Sequence, residues 1–426
     1  MKIIVVGGGW AGCAAALSAR KQGAHVILLE RTDMLLGTGL VGGIMRNNGR
    51  FTATEELIAM SGGEIFQAID GNLLHKNIEF PGHRHASLYN VATMEPLIKA
   101  LLLENGIDLH LQTRITDVEM PADRILAVTG RQVKQEIRFE GDVFIDTTGT
   151  AGPPANCSKY GNGCAMCVLR CHSFGGRVSL AAKAGCIEMN GEKNGQTGAF
   201  SGSCKLHKES LSAAIRDQLN QDGVAVVPLG DSQKLKGKLA LKACQQYAIP
   251  AFEENVVLLD TGHAKLMSPY FPLEVLRTIP GLEHARYEDP YAGGIGNSIR
   301  YIGMSPRDDA LKVSGVDNLF CAGEKAGLLV GHTEAICTGT LAGCNAVRWA
   351  NGEKPHVLPT SLAIGDAIRH VREEMVEKNE RSLKFTFSGS VYFERMTALG
   401  LYVTDKNEIQ KRVKTAGVDG IFQSTR

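Results

Sequence analysis

Two groups of residues in this chain have types and spacings that could do chemistry. The first is Gly7-x-Gly9-x-x-Gly12, with Glu30 placed 18 residues after the last glycine. It follows Lys2-Ile-Ile-Val-Val6, a short β-branched run that predicts a buried strand, and it opens an alanine-rich segment, Cys13 to Gln22, that predicts a helix. In such a unit the first glycine permits a tight turn, the second lets backbone approach a pyrophosphate, and the third lets helix and strand pack closely. The diphosphate sits at the helix N-terminus, where free N–H groups and the macrodipole favour negative charge. Glu30 ends the next predicted strand, His25–Glu30, where it can accept hydrogen bonds from a ribose hydroxyl. Gly8 and Ala11 within the turn, Arg31 beside Glu30, and Gly42 in the glycine-rich stretch 33–50 belong to the same expected cofactor site.

The second group is Cys157-x6-Cys164-x2-Cys167-x3-Cys171. Four thiols at short spacing can converge on one metal or cluster. The spacing differs from a zinc ribbon, which uses two Cys-x2-Cys pairs. Three readings stay open: a [4Fe-4S] cluster, a redox-active dithiol at Cys164 and Cys167 activated by Arg170, and thiols that only pack. Cys204, beside Lys205, is a further ligand or nucleophile in the same sense, with simple packing the default. Cys13, Cys321, Cys337 and Cys344 fall at apolar positions of expected helices and strands and read as packing residues.

Isolated polar residues add a third tier. His332, in Gly331-His-Thr-Glu334, is the expected catalytic histidine, able to shuttle a proton near neutral pH. His263 in Asp260-Thr-Gly-His-Ala-Lys265, the His83-Arg84-His85 triplet, and the arginines Arg300 and Arg307 are candidates for an anionic substrate. The charge run Arg372 to Arg381 reads as a solvated helix face.

These residues need elements to hold them. A helix is expected over Thr93–Glu104, hairpin strands over Ile107–Val118 and Ile125–Phe139, a buried strand over Asp142–Asp146, another over Asn318–Ala322, and a helix over Thr333–Trp349. The glycine-rich stretch 33–50 reads as a loop over a ligand, and the charged tail is helical near its start and near Lys406–Lys414. With 426 residues, 44 % hydrophobic, the chain is long enough for two or three domains of about 150 residues each. The 49 glycines exceed the average of roughly 7 % and concentrate where backbone must approach a ligand. No run of about 18 apolar residues exists, so no membrane span is expected. No export signal opens the chain, which points to the cytoplasm and a reducing setting for its 11 cysteines. The balance of 46 Lys+Arg against 45 Asp+Glu gives no footprint for nucleic acid.

A single fingerprint indicates a resident cofactor. Ile145-Asp-Thr-Thr148-Gly149 resembles the strand that closes the FAD domain in flavoproteins of the glutathione-reductase type. Phe320-Cys-Ala-Gly323-Glu324 resembles their late strand, whose acidic residue approaches the flavin ribityl or diphosphate. The same resemblance puts the backbone of Ile115 at the adenine. Gly323-Glu-Lys-Ala-Gly327, Gly331-His-Thr-Glu-Ala335 and Gly339-Thr-Leu-Ala-Gly343-Cys-Asn345-Ala346 are similar to the glucose-inhibited division protein A family, which includes flavoproteins that modify tRNA uridines and a folate-dependent tRNA methyltransferase branch. The similarity covers residues 1–45, 140–150 and 315–365. It implies an α/β fold: a Rossmann-type FAD domain built from 1–150 and 311–365, an inserted substrate domain at 151–310, and a small helical C-terminal tail at 366–426. The expected function is an FAD-dependent oxidoreductase with a second redox centre in the cysteine-rich loop, NAD(P)H being a transient donor, acting on a small molecule or a redox partner protein, with self-association allowed. RNA uridine modification and electron transfer within a larger complex are the alternatives. Nucleic acid is the less favoured partner, because the resemblance does not extend over 150–310 or the tail.

Overall fold

The computed structural model describes residues 1–149, 171–193, 196–197, 199–200, 204–234, 236–237, 239, 245–267, 271–288, 299–300 and 302–424. Strand β1 (Lys2–Val6) is at the centre of a five-stranded sheet, and its four branched residues are buried. It pairs in parallel with β2 (His25–Leu29) on one side and with Val143–Asp146 on the other. Leu319–Cys321 extends the second edge and Asp108–His110 the first, both again parallel. Parallel strands covered on both faces are expected to be apolar runs of this kind. The strand order reverses at β1, and a crevice at the carboxyl ends of strands is where ligands bind in such sheets.

Helix α1 (Trp10–Lys21) starts three residues before the expected Cys13, so the fingerprint's last glycine lies inside its first turn. Ten of its twelve residues are buried. Its main partner is the helix His332–Ala350, and the two backbones approach closely: a β-carbon on Gly339 or Gly343 would fall 2.2 Å from the carbonyl oxygen of Ala11 or Ala15. The spaced glycines of the C-terminal half therefore serve helix–helix contact as well as the ligand site.

Two expectations change. The stretch 33–50 is not one loop: it holds a 3-10 turn (Gly37–Val41), a short strand (Ile44–Met45) and the start of the helix Gly49–Ala59. The 107–118 segment divides, because Asp108–His110 pairs with β2 in the central sheet while Thr113–Glu119 pairs with Ala127–Gln132 in an antiparallel sheet completed by Gln135–Glu140. Periodicity in sequence could not see that a free edge of β2 was available.

Between residues 204 and 267 a four-stranded antiparallel sheet runs in the order Cys204–Leu206, Ala264–Leu266, Asn255–Asp260, Val224–Pro228. It has its own apolar core, including Leu206, Leu219, Leu258 and Phe271. Its other face meets the sheet of Ile44–Met45, His83–Tyr89 and Leu73–Phe80 through Val257, Leu259 and Met267 against Phe80 and Leu88. The charged tail also packs inward. Phe387, Tyr392, Met396, Val413 and Phe422 belong to the main core. Cys157, Cys164 and Cys167 lie outside the described residues, and Cys171 opens the short helix Cys171–Phe174.

Candidate functional site

An open cleft runs along the carboxyl ends of the central sheet. One end is lined by Glu30, Arg31, Thr113, Arg114 and Ile115; the middle by Gly7, Gly9, Ala11, Thr148, Gly149, Gly323 and Glu324; the far end by Gly42, Arg50, Tyr247, Lys265 and His332. Eleven of the thirteen expected cofactor residues thus border one continuous space. The other two, Gly8 and Gly12, sit behind it. Gly8 N donates to Glu30 Oε2 (2.7 Å), and a β-carbon on Gly8 would strike Leu35. A β-carbon on Gly12 would lie 1.8 Å from Gly7 O.

The middle of the cleft is built by backbone. Gly7 has φ +105°, and a β-carbon there would lie 2.4 Å from Thr147 O. Thr147 Oγ1 donates to the carbonyls of Val6 (2.9 Å) and Gly7 (2.7 Å), tying the turn to the next strand. Gly9 differs: a β-carbon on it would meet nothing within 4 Å, because it points into the cleft. Gly9 is the N-cap of α1 and offers no side-chain cap. The first N–H groups of α1 therefore face the cleft wall without an intrahelical acceptor, which suits a diphosphate. A cradle lined by glycine where a phosphate must touch backbone, with Glu30 at one end and Gly323 and Glu324 in its middle, fits FAD.

Glu30 is buried, and its carboxylate also braces the turn. Besides Gly8, it accepts from Thr32 N (2.8 Å) and Thr32 Oγ1 (3.0 Å). Its role in the geometry is to hold the fingerprint loop as well as to face the cofactor end.

The far end concentrates positive charge. Arg50 is buried, and its Nε donates to both oxygens of Glu334 (3.1 Å each). Its terminal nitrogens reach Asn47 Oδ1 and Thr386 Oγ1 (3.2 Å each). Glu334 in turn accepts from Thr386 Oγ1 (2.6 Å) and Phe387 N (2.9 Å), so the carboxylate is compensated. Lys265, from the four-stranded sheet, donates to Val41 O and to Gly42 O (2.6 Å). His332 packs against Gly42: a β-carbon on Gly42 would fall 1.8 Å from His332 Cε1. His332 begins a 19-residue helix whose N-cap, Gly331, brings no side-chain cap. The Arg50–Glu334 pair is neutral as a unit, so the helix N-terminus and the Lys265 ammonium are what favour negative charge at this end.

Several expected site residues do not enter the cleft. His83 is buried between Asn47 Nδ2 (3.0 Å) and Gln246 O (3.1 Å), and burial pushes it down to about 3, so it is a neutral structural histidine. His85 pairs with Asn77 Oδ1 at the exposed end of the same strand. Arg307 is no anion binder: it is buried and donates to Ala326 O and Ile368 O (2.8 Å each), and desolvation lowers it to about 10. Arg300 ends the short strand Ile299–Arg300. His263 pairs with Glu288 rather than lining the cleft. Cys13, Cys321, Cys337 and Cys344 are buried free thiols; burial pushes Cys321 and Cys344 up to about 12 and raises the other two as well, so all four are protonated packing residues. Cys204 is likewise buried, inside the four-stranded sheet. Among the described residues no group of three or more His, Cys, Asp or Glu could hold a metal, and the proposed ligands Cys157, Cys164 and Cys167 are not among those residues.

Arg50, Arg114, Arg177, Tyr247 and Lys265 line the cleft, and sequence reading gave none of them a role. Arg50 falls in a glycine-rich stretch and Lys265 two residues from a singled-out histidine. No local pattern marks either, because Arg50 reaches the site from the helix Gly49–Ala59 and Lys265 from a strand of the four-stranded sheet.

The family pattern for FAD dependent oxidoreductases matches residues 2–152, and that for glucose inhibited division protein A matches residues 253–354. The tRNA uridine 5-carboxymethylaminomethyl modification enzyme of Syntrophomonas wolfei is 24 % identical over 417 residues, covering 85 % of this chain and 64 % of that protein. The methylenetetrahydrofolate–tRNA-(uracil-5-)-methyltransferase of Bacillus cereus is 31 % identical over 145 residues, covering 33 % of this chain and 29 % of that protein. The chain therefore spans less than two thirds of either relative. Aquifex aeolicus GidA superposes with a TM-score of 0.68 at 15 % identity, covering 99 % of this chain and 73 % of that one. These matches establish the FAD-binding fold. They lend no support to a second redox centre, and both relatives are named for the modification of tRNA uridines.

Proposed function

We propose that this chain, which has the FAD-binding fold shared by the FAD dependent oxidoreductases and the glucose inhibited division protein A family, is an FAD-dependent enzyme acting on a uracil-type base carried by RNA. The carrying observation is the cleft itself, with a backbone-lined middle that fits a diphosphate and a cationic far end beside Gly42. The names of the two relatives support the choice of substrate, since both modify tRNA uridines.

In this reading Gly7, Gly9 and Ala11 present backbone to the diphosphate, with Gly8 and Gly12 bracing the turn behind it. Glu30 and Arg31 face the adenosine ribose, Ile115 the adenine, and Thr148, Gly149, Gly323 and Glu324 the middle of the cofactor. Gly42 borders its ring. FAD, once bound, supplies hydride or electron transfer. Lys265 holds positive charge where a uracil carbonyl gains negative charge, and the Glu334 carboxylate keeps the Arg50 guanidinium oriented. His332 can give or take a proton at its ring nitrogens beside Gly42. NAD(P)H is the proposed donor, since the single fingerprint is taken by the resident cofactor.

The test is direct. The purified protein should retain or take up FAD and be reduced by NAD(P)H. It should also bind unmodified tRNA with an affinity that falls steeply with rising salt. Failure to bind FAD sinks the cofactor assignment. Retention of FAD with no tRNA affinity at low salt sinks the RNA substrate and leaves a small planar molecule in its place.

One observation favours a second reading. The helix Cys171–Phe174 runs within six residues into Arg177 and Val178, which line the cleft. Cys171, the last of the four clustered cysteines, thus stands six residues before a cleft-lining arginine. Iron and acid-labile sulfide in anaerobically purified protein support a cluster there. Their absence, with a Cys164–Cys167 pair that titrates with the flavin, supports a dithiol; the absence of iron and of any such pair removes the second centre.

A further inference from the structure

We infer that residues 174–178 form a strap across the adenylate half of the cofactor, with Arg177 as its charged contact to the diphosphate. The inference rests on the FAD reading above but concerns residues that neither the fingerprint nor the family resemblance points to.

Both flanks of the strap are fixed to the cofactor-binding part of the fold. Arg31 Nη1 donates to Gly175 O (2.6 Å), and Arg114 Nε donates to Gly176 O (3.0 Å). Two arginines that border the same end of the cleft thus grip two consecutive carbonyls. Gly175 makes this possible, since it has φ +76° and a β-carbon on it would fall 3.2 Å from Arg114 Nε. Just after the strap, Ser179 caps the short helix Leu180–Lys183, and Ala181 N donates to Asp146 Oδ2 (2.9 Å). Asp146 ends the strand that leads into Thr148 and Gly149 and also accepts from Thr148 N (3.0 Å) and Thr148 Oγ1 (2.6 Å).

Between these anchors Arg177 and Val178 line the cleft. The position of a β-carbon on Gly149 is 3.0 Å from Arg177 Nη1, so the guanidinium lies against a glycine that lines the same cleft as Gly7 and Gly9. A planar fork there is matched to phosphate oxygens. The α1 N-terminus approaches the diphosphate from one side and Arg177 from the strap's side.

The test compares FAD with FMN, which shares the flavin and its first phosphate but lacks the adenylate. Titrations of apo-protein are followed by flavin fluorescence. Arg177→Gln should weaken FAD binding by about tenfold to a hundredfold, the loss of one charge-assisted contact. It should leave FMN affinity and the melting temperature of the apo-protein unchanged. Arg177→Lys should recover part of the loss. Unchanged FAD affinity in Arg177→Gln overturns the strap's role, as does an equal loss for FAD and FMN. Should Arg177→Gln melt early, Arg114→Gln, which releases the Gly176 carbonyl, serves as the second variant, with the same selective loss expected and an unchanged FAD affinity again fatal. If wild-type protein takes up no FAD, the cofactor reading fails and the strap with it, an outcome distinct from normal wild-type binding with an indifferent variant.

Discussion

At the scale of single residues, the glycines of the fingerprint separate into two kinds. Gly9 faces open space and Gly12 faces a carbonyl. Gly9→Ala should therefore leave apo-protein stability within about 0.5 kcal/mol of wild type, as for a substitution that meets nothing, while weakening FAD by at least about tenfold, because its methyl occupies the path of the diphosphate. Gly12→Ala should destabilise the apo-protein itself, by about 1–3 kcal/mol or more, because helix and turn must separate. Chemical denaturation and flavin titration of the two variants check the contrast; similar effects of both on stability would refute it. His83 makes a pH prediction. Burial lowers its native pKa to about 3 against an ordinary 6.5. Between those values the unfolded chain binds the extra proton, so stability rises with pH across the window and is lost as pH falls below about 6.5. The steepest contribution is about 1.4 kcal/mol per pH unit. His83→Gln, which does not titrate, should flatten the urea midpoint between pH 4 and 6.5; parallel curves for the two proteins would show that His83 is charged in the native state.

At the scale of elements, the site depends on a helix pair. The α1 helix aims its N-terminus at the cleft, and its position is set by contact with the helix His332–Ala350, whose own N-terminus borders the other end. Gly339 and Gly343 let the two backbones meet. Gly343→Ala should cost about 1–3 kcal/mol by overpacking and should also weaken FAD retention, although Gly343 lies remote from the cleft. Thermal melts with and without added FAD measure both effects. A variant that loses stability but keeps its FAD affinity would show that the helix pair does not set the cradle.

At the scale of the whole molecule, the cleft is completed by chain segments far apart in sequence. Lys265 comes from the four-stranded sheet, Arg50 from the helix Gly49–Ala59, and Glu334 from the C-terminal half. The tail joins the same body: Phe422 is fully buried, and its N–H donates to Met60 O (3.0 Å). Phe422→Ala should therefore cost about 3–5 kcal/mol, as for a core aromatic, and lower the melting temperature of the main transition. A separate early transition with the main one unmoved would mean that the tail folds as an independent layer.

The sequence by itself determined the parts governed by local rules. The strand, turn and helix of residues 2–21 and the acidic Glu30 carry their information within a few residues, because a phosphate-binding turn needs glycine at fixed offsets. The buried cysteines were legible from local pattern too, as apolar-position residues of helices (Cys13, Cys337, Cys344) and of a strand (Cys321). Tertiary structure alone decided the rest. The His83 and Arg307 side chains looked available for an anion and proved to be satisfied in the core, since burial and hydrogen-bond partners are set by packing. Arg50, Lys265 and Arg177 gained their places in the cleft from elements between 50 and 265 residues along the chain, and no spacing rule connects those elements.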